Sequence, residues 1–543
     1  MVFARRSTTL LAAIIASCAM VLSLTACTSD NKTVVDGQTT VTSNSAGGVA
    51  VFTPSDGITL NQQTPLNKWA KLVPDLAKAL ADAGFKKGDI DHTTSDSLAK
   101  QSRAIQDFVV DHLSNNTTDD SGIAIAPDNM TLLVAPVVEA DASTRQYGDY
   151  ISQNLSTNDA TDGEATSDGE SSEDDSSKDD SSNTESDSTA SDEQAQAVDR
   201  LVSSLKLAKE SGMHVVLLGN SIEGYKPDAF VKFSDAQTIG KLQAEKMVSK
   251  LKLDKASKDN PKYIEALLPY TAVDEKGNAN DSTFAQEAFR GIWQVLGSYY
   301  QKGVVESPSG TLDGKSTEND WQAVAYDAAK EGSTAKVLDK RLAKTDGQST
   351  LTRIDGIITM NDYIASEVVK ELDDLGYTGS AADINPQITI SGIVGNITGK
   401  KDLSRDAVPD PIKSPENDNA NDSSSSDDDA DEDTSASDKD RDSQWPLVTG
   451  YGAYVSNIPS IVNGKQWMTG MEDRQTIATD IAQACAKLNK DEALNSMPSI
   501  RNSEVGGVKK IPTISEPLLA VSASNLKSAL IDPGYISLAD AGL

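Results

Sequence analysis

Apolar residues along this chain fall into two kinds of pattern. Short runs, unbroken or alternating, predict strands, and longer stretches repeating every three to four positions predict amphipathic helices. A strand at 49–53 leads to a helix at about 66–83, with Leu72, Leu76, Ala79, Leu80 and Ala83 on one face. Pro74 is placed to delay the regular part of that helix, and Gly84 ends it. A helix at 97–112, a strand at 131–135, a helix at about 193–211, strands at 215–218 and 229–233 and a helix at 236–251 complete a first run. The alternation restarts with a strand at 263–268, a helix at 282–300, a short strand near 304–306, a helix at 320–342, a strand at 354–360 and a helix at 363–375. Two apolar runs, 387–393 and 446–449, compete for the next strand; the second is favoured because Thr449-Gly450 leads in register to 463–469. A helix at 474–489 and a strand near 517–521 finish the chain. Strands alternating with helices predict an α/β fold of parallel sheets covered on both faces, and two successive runs predict two doubly wound lobes.

Charge changes this picture in two places. The 543-residue chain carries a net −33. Residues 158–193 hold fourteen acids against one base, and 404–443 hold fourteen against four, so these two segments account for 23 of the 33 negative charges. Both are Asp/Ser tracts with too little apolar content to offset chain entropy, and are expected to be disordered insertions. Neither contains a D-x-[DN]-x-[DN]-G calcium loop. So acidic a chain is a poor binder of nucleic acid, which requires phosphate neutralisation by Lys and Arg.

The N-terminus carries an address. Arg5 and Arg6 precede an apolar run from 10 to 22, too short for a spanning helix, that ends in Leu24-Thr25-Ala26-Cys27. This resembles a bacterial lipobox, which implies cleavage after residue 26 and acylation of Cys27, with two acyl chains giving a stable anchor. Cys18 leaves with the signal, so Cys485 is the one free thiol of the mature chain; its place on an apparent helix predicts a buried, inert side chain. Residues 27–46, polar and without apolar period, read as a flexible tether.

Five segments, in order, resemble the type I periplasmic sugar-binding proteins, closest to the xylose-binding group. They are Leu66-Asn67-Lys68-Trp69; 229–240 (AFVKFSDAQTIG); 355–362 (DGIITMND); 463–469 (NGKQWMT); and 507–512 together with the tail from Ser524-Asn525 to Tyr535. The resemblance implies two doubly wound lobes joined by a hinge, with a sugar or sugar-like solute bound between them. It also implies an ABC-type importer, whose permease is the partner, and a monomer anchored by lipid on the outer face of the cytoplasmic membrane. The lobes are expected at 47–253 with 466–500 and at 254–465 with 501–543.

The chemistry of such a site is known in outline. Carboxylates and amides at strand ends bond the hydroxyls of a sugar, and aromatic rings cover its CH face. By resemblance Lys68, Trp69, Asn220, Asp235, Asn361 and Asp362 stand at ligand positions. Four of them have a structural alternative: core packing for Trp69, and helix capping for Asp235 and for the Asn361–Asp362 pair. The chain also departs from the family. An Asp-Arg pair is replaced by Gly219-Asn220-Ser221, and a G-x-D by Gly450-Tyr451-Gly452, with Tyr451 and Tyr454 the nearest candidates for compensation. The departures motivate an alternative, a non-transport surface lipoprotein acting as a sensor or partner-binding module. The three histidines, His92, His112 and His214, have no metal-ligand spacing and stand beside no plausible nucleophile, and no nucleophile elbow, phosphate loop or dinucleotide fingerprint is present. The chain is therefore read as a binding protein without catalysis, metal or cofactor. The first acidic tract should emerge near the mouth of the cleft and bias the charge of entering solutes, a solvated spacer being the plainer alternative.

Overall fold

The computed structural model describes residues 32–35, 38–41, 46–55, 65–115, 125–138, 144–157, 185–273, 279–343, 351–381 and 445–543. It divides into two units, 1–45 and 46–543. In the first, Lys32–Val35 (β1) and Gln38–Val41 (β2) form an antiparallel ladder with Val35 opposite Gln38. This ladder lies within the segment expected to be a flexible tether. The sequence between the two strands is Asp36-Gly37, a two-residue hairpin signal. The signal segment, Cys27, residues 158–184 of the first acidic tract, the whole of the second and the run 387–393 lie outside the described residues.

The second unit contains two sheets. Gly48–Pro54 (β3), Ile90–Ser95 (β4), Met130–Val134 (β5), His214–Leu218 (β7) and Ala229–Val231 (β9) run parallel in the order β4-β3-β5-β7-β9. Between them in sequence lie the two-residue strands Asn154–Leu155 (β6) and Ser221–Ile222 (β8), which pair with each other. Along β3 the residues alternate between two cores: Val49 and Val51 pack under the helix Trp69–Asp82 (α1), and Ala50 and Phe52 under Leu98–Asn115 (α2) and Glu185–Glu210 (α3). Burial on both faces explains the unbroken apolar runs at 215–218 and 131–135.

The other sheet takes Lys262–Ala266 (β10), Val305–Glu306 (β12), Gly356–Ile358 (β14), Leu447–Tyr451 (β15) and Met468–Met471 (β16) in the order β12-β10-β14-β15-β16. Leu268–Pro269 (β11) and Ala325–Tyr326 (β13) pair beside it. Its helices are Ala236–Leu251 (α4), Thr283–Gln301 (α5), Trp321–Val324 (α6), Ser333–Arg341 (α7), Asp362–Asp374 (α8) and Ile458–Val462 (α9). Helices α4 and α5 cross so closely that a Cβ at Gly240 would come 2.2 Å from the carbonyl oxygen of Ala288, and one at Gly291 2.0 Å from that of Gln237.

Each sheet has the doubly wound order 2-1-3-4-5. The run 446–449 does supply a strand, β15, paired between β14 and β16. Other expectations are corrected. Helix α1 starts at Trp69, because Pro74 removes a single backbone donor and the helix continues through it. The helix expected at 320–342 is two, interrupted where Ala325–Tyr326 pairs with β11 and where Gly332 adopts a left-handed φ of 70°. Helix α3 begins at Glu185, inside the tract expected to be disordered.

The lobe boundaries also shift. Helix α4 packs into the core of the second sheet, with Ile239, Met247 and Leu251 against Ile264 and Phe289. Strand β16 lies in the second sheet. The hairpin Ile500–Val505 (β17) and Val508–Ile514 (β18) extends the first, with β18 parallel to β9. Leu519–Ser522 (β19) closes the second, antiparallel to β16, while Arg474–Leu488 (α10) packs in the core beneath α1. The chain therefore crosses between lobes three times, at 232–235, 472–473 and 515–518, rather than at 253, 466 and 500. Among the described residues no helix is long and apolar enough to cross a membrane.

Candidate functional site

In an open sheet of order 2-1-3-4-5, chains leave neighbouring strands in opposite directions at one point, and a crevice opens outside the carboxyl ends there. The second sheet has this point between β10 and β14. Beyond β14 come Thr359, Met360, Asn361 and Asp362; beyond β15 come Gly452, Ala453 and Tyr454. Two of these residues, Met360 (φ 67°) and Ala453 (φ 49°), hold a left-handed conformation that costs a non-glycine residue energy, a strain that clusters at functional sites.

Asn361 is the N-cap of α8, its Oδ1 accepting the Ile364 N–H at 2.9 Å. Asp362 follows in the first turn and is fully buried. Its Oδ1 accepts Gln466 Nε2 at 2.7 Å, and its Oδ2 accepts the Tyr454 N–H and the Thr469 hydroxyl, both at 2.9 Å. Burial raises its pKa to about 6 against the pull of these donors. Gly450 is required beside it, because a Cβ there would lie 2.2 Å from Oδ1. Asp362 thus ties the ends of β14, β15 and β16 together.

In the first lobe, Lys68 donates to Asp149 Oδ1 at 2.7 Å, and the Trp69 N–H donates to Asp149 Oδ2 at 3.1 Å. Trp69 is buried edge-on against Tyr150 and Phe233, with ring centroids 5.1 and 5.7 Å away. Asn220 is buried, donating to the Pro136 carbonyl and accepting the Gln153 N–H, each at 2.9 Å. Asp235 caps α4 through Thr238 N at 2.7 Å and pairs with Lys232 at 2.9 Å; burial opposes ionisation, but these partners hold its pKa below the ordinary value. Lys68 is joined to Trp69, and Asn361 to Asp362, whereas Asn220 and Asp235 serve separate local tasks. All five polar side chains are committed to the protein itself.

What lies between the lobes comes from a segment that the sequence pattern did not single out. Residues 144–157 leave the first lobe beyond the end of β5. The Gln146 carbonyl accepts the Tyr454 hydroxyl at 2.6 Å, and its side-chain Oε1 accepts Asn361 Nδ2 at 3.1 Å. Tyr147 is buried against Phe284 (4.7 Å between centroids) and Tyr451 (6.3 Å), in the core cluster of the second lobe. The available signal was local: two tyrosines, Tyr147 and Tyr150, in an otherwise polar stretch.

Beneath them lies the hinge. Glu472, buried in the second crossover, accepts the Ser234 N–H of the first crossover at 2.8 Å and the Tyr451 hydroxyl at 3.3 Å. Burial raises its pKa. In the third crossover Glu516 is pushed up to about 7, by burial first and then by the Asp480 and Asp473 carboxylates.

No protein family model and no curated protein matches this chain. Solved structures do. The chain is similar to an ABC transporter solute-binding protein from Clostridium phytofermentans with bound β-D-glucose, at 17% identity over 91% of this chain and 99% of that one, with a TM-score of 0.43. It is similar to a carbohydrate transporter solute-binding protein from Chloroflexus aurantiacus in complex with D-glucose (18% identity, 92% and 98% covered, TM-score 0.42). It is also similar to a periplasmic ribose ABC transporter from Conexibacter woesei (13%, 90% and 96%, 0.42). Among the described residues no group of three or more His, Cys, Asp or Glu side chains is placed to hold a metal ion. Cys485 is a buried free thiol whose pKa is raised by burial.

Proposed function

We propose that this protein is a lipid-anchored extracellular solute-binding protein of an ABC-type importer, and that the space between its lobes takes a neutral sugar or sugar-like ring. One observation carries the reading: the carboxyl ends of the strands in two 2-1-3-4-5 sheets meet across the segment 144–157. There the second lobe presents the Asn361 amide, the Tyr454 hydroxyl and the faces of Phe284 and Tyr451. Amide and hydroxyl suit sugar hydroxyls, and aromatic faces suit its CH surface. Asp362, its oxygens taken by three internal donors, is a positioning group for Asn361 and Tyr454 rather than a contact. The lipobox at Leu24-Thr25-Ala26-Cys27 supports the anchor on the outer face of the cytoplasmic membrane, and the permease is the expected partner.

Thermal-shift screening against pentoses, hexoses and their oligomers tests this reading. A bound solute stabilises the folded state by RT ln(1 + [L]/Kd), about 2.7 kcal/mol at 100-fold saturation. The second reading, a surface module that keeps the fold without transport, is favoured by one observation: Gln146 and Tyr147 already occupy the interlobe position. Absence of any response to small polar solutes would favour it over the first.

A further inference from the structure

We propose that Gln146–Tyr147 is a tethered occupant of the interlobe site, holding the lobes together in the absence of solute, and that solute must expel it. The segment is fixed to the first lobe at several points. The Asp149 N–H donates to the Asn67 carbonyl at 2.8 Å, the Tyr150 hydroxyl to the Lys68 carbonyl at 2.6 Å, and the Gln153 N–H to Asn220 at 2.9 Å. Strand β6 pairs with β8. Against this anchorage, Gln146 and Tyr147 reach the other way. Their partners Asn361, Tyr454, Phe284 and Tyr451 all belong to the second lobe.

The reversal occurs at Gly148, with φ 97° and a Cβ position only 2.5 Å from the Asn67 carbonyl oxygen, so the turn admits no side chain. Tyr147 fills the space by shape more than by bonding. It is 1% exposed, and its hydroxyl lies beside the Asn361 side chain without a hydrogen bond of ordinary geometry. A buried hydroxyl so poorly partnered is disfavoured, so a solute that hydrogen-bonds Asn361 and Tyr454 and stacks on Phe284 competes with an imperfect occupant. The expulsion step rests on the sugar-binding reading; the holding of the lobes does not.

The test uses the full chain, with a donor–acceptor dye pair carried by unnatural amino acids at the exposed positions Asp82 in α1 and Lys336 in α7. Without solute, the wild-type distance is expected to be short and uniform. The double variant Gln146→Ala with Tyr147→Ala should shift to a longer distance, and Tyr454→Phe, which removes one bond only, should give a partial shift. Tyr147→Phe keeps the ring and should remain short. An unchanged distance in the double variant and in Tyr454→Phe would overturn the proposal. Adding sugar should return the double variant to the short distance, with an affinity about tenfold or more above wild type, since no competitor need be displaced. An affinity equal to or weaker than wild type would overturn expulsion. Opening without any sugar response would support the holding role and refute the sugar-binding reading.

Discussion

Replacing Asp362 by Asn should remove one specific pH dependence of stability. The carboxyl is fully buried, and its folded pKa of about 6 stands above the 3.8 of an ordinary Asp. The folded state therefore holds this proton more tightly than the unfolded state does. Stability is fully present below the unfolded pKa and falls as pH rises through the folded one. By linkage, the group contributes about 2 kcal/mol at pH 4.5 and almost nothing at pH 7.5. Asn has no such term. It brings its own constant penalty, because its Nδ2 would oppose Gln466 Nε2, while Gln466 Oε1 already accepts Asn457 Nδ2 at 2.8 Å and so resists a flip. Urea unfolding of both proteins across pH 4.5–7.5, followed by circular dichroism, isolates the titration as the change in their difference. The wild-type advantage should shrink by about 2 kcal/mol over that range. A constant difference would refute the buried-carboxyl account.

Three further outcomes are expected. Glu516→Gln should stabilise the protein at pH 8 and have little effect at pH 4, because a pKa raised from 4.5 to about 7 means that stability is fully present only below the unfolded value and is lost as pH rises through the folded one; melting curves at the two values check this. Trp69→Ala should cost about 3–5 kcal/mol in urea unfolding, as for other large buried rings, since Trp69 is buried between Tyr150 and Phe233. Cys27→Ser should abolish metabolic labelling with palmitate and release the protein from the membrane fraction.

The sequence made some of this legible and not the rest. Helix α4 was placed at its observed ends because Asp235 caps it and apolar residues recur at helical spacing up to Leu251. The β3 and β7 strands were legible because both their faces are buried. The lobe boundaries were not, since which sheet β16 or the β17–β18 hairpin joins depends on partners distant in sequence. The six candidate site residues were found at strand and helix ends, where capping and ligand binding call for the same side chains. Only the structure shows that five of them have committed their polar atoms internally and that Trp69 is packed in the core. Gln146 and Tyr147 carried no motif; their role comes from a backbone reversal at Gly148 and a burial that no local pattern encodes.

The most direct test of the central claim is a crystal structure of the protein grown with the sugar that gives the largest thermal shift. Solute density between Asn361, Tyr454, Phe284 and Tyr451, with Tyr147 displaced, is the predicted result. Solute bound elsewhere, with Tyr147 still packed on Phe284, would contradict it.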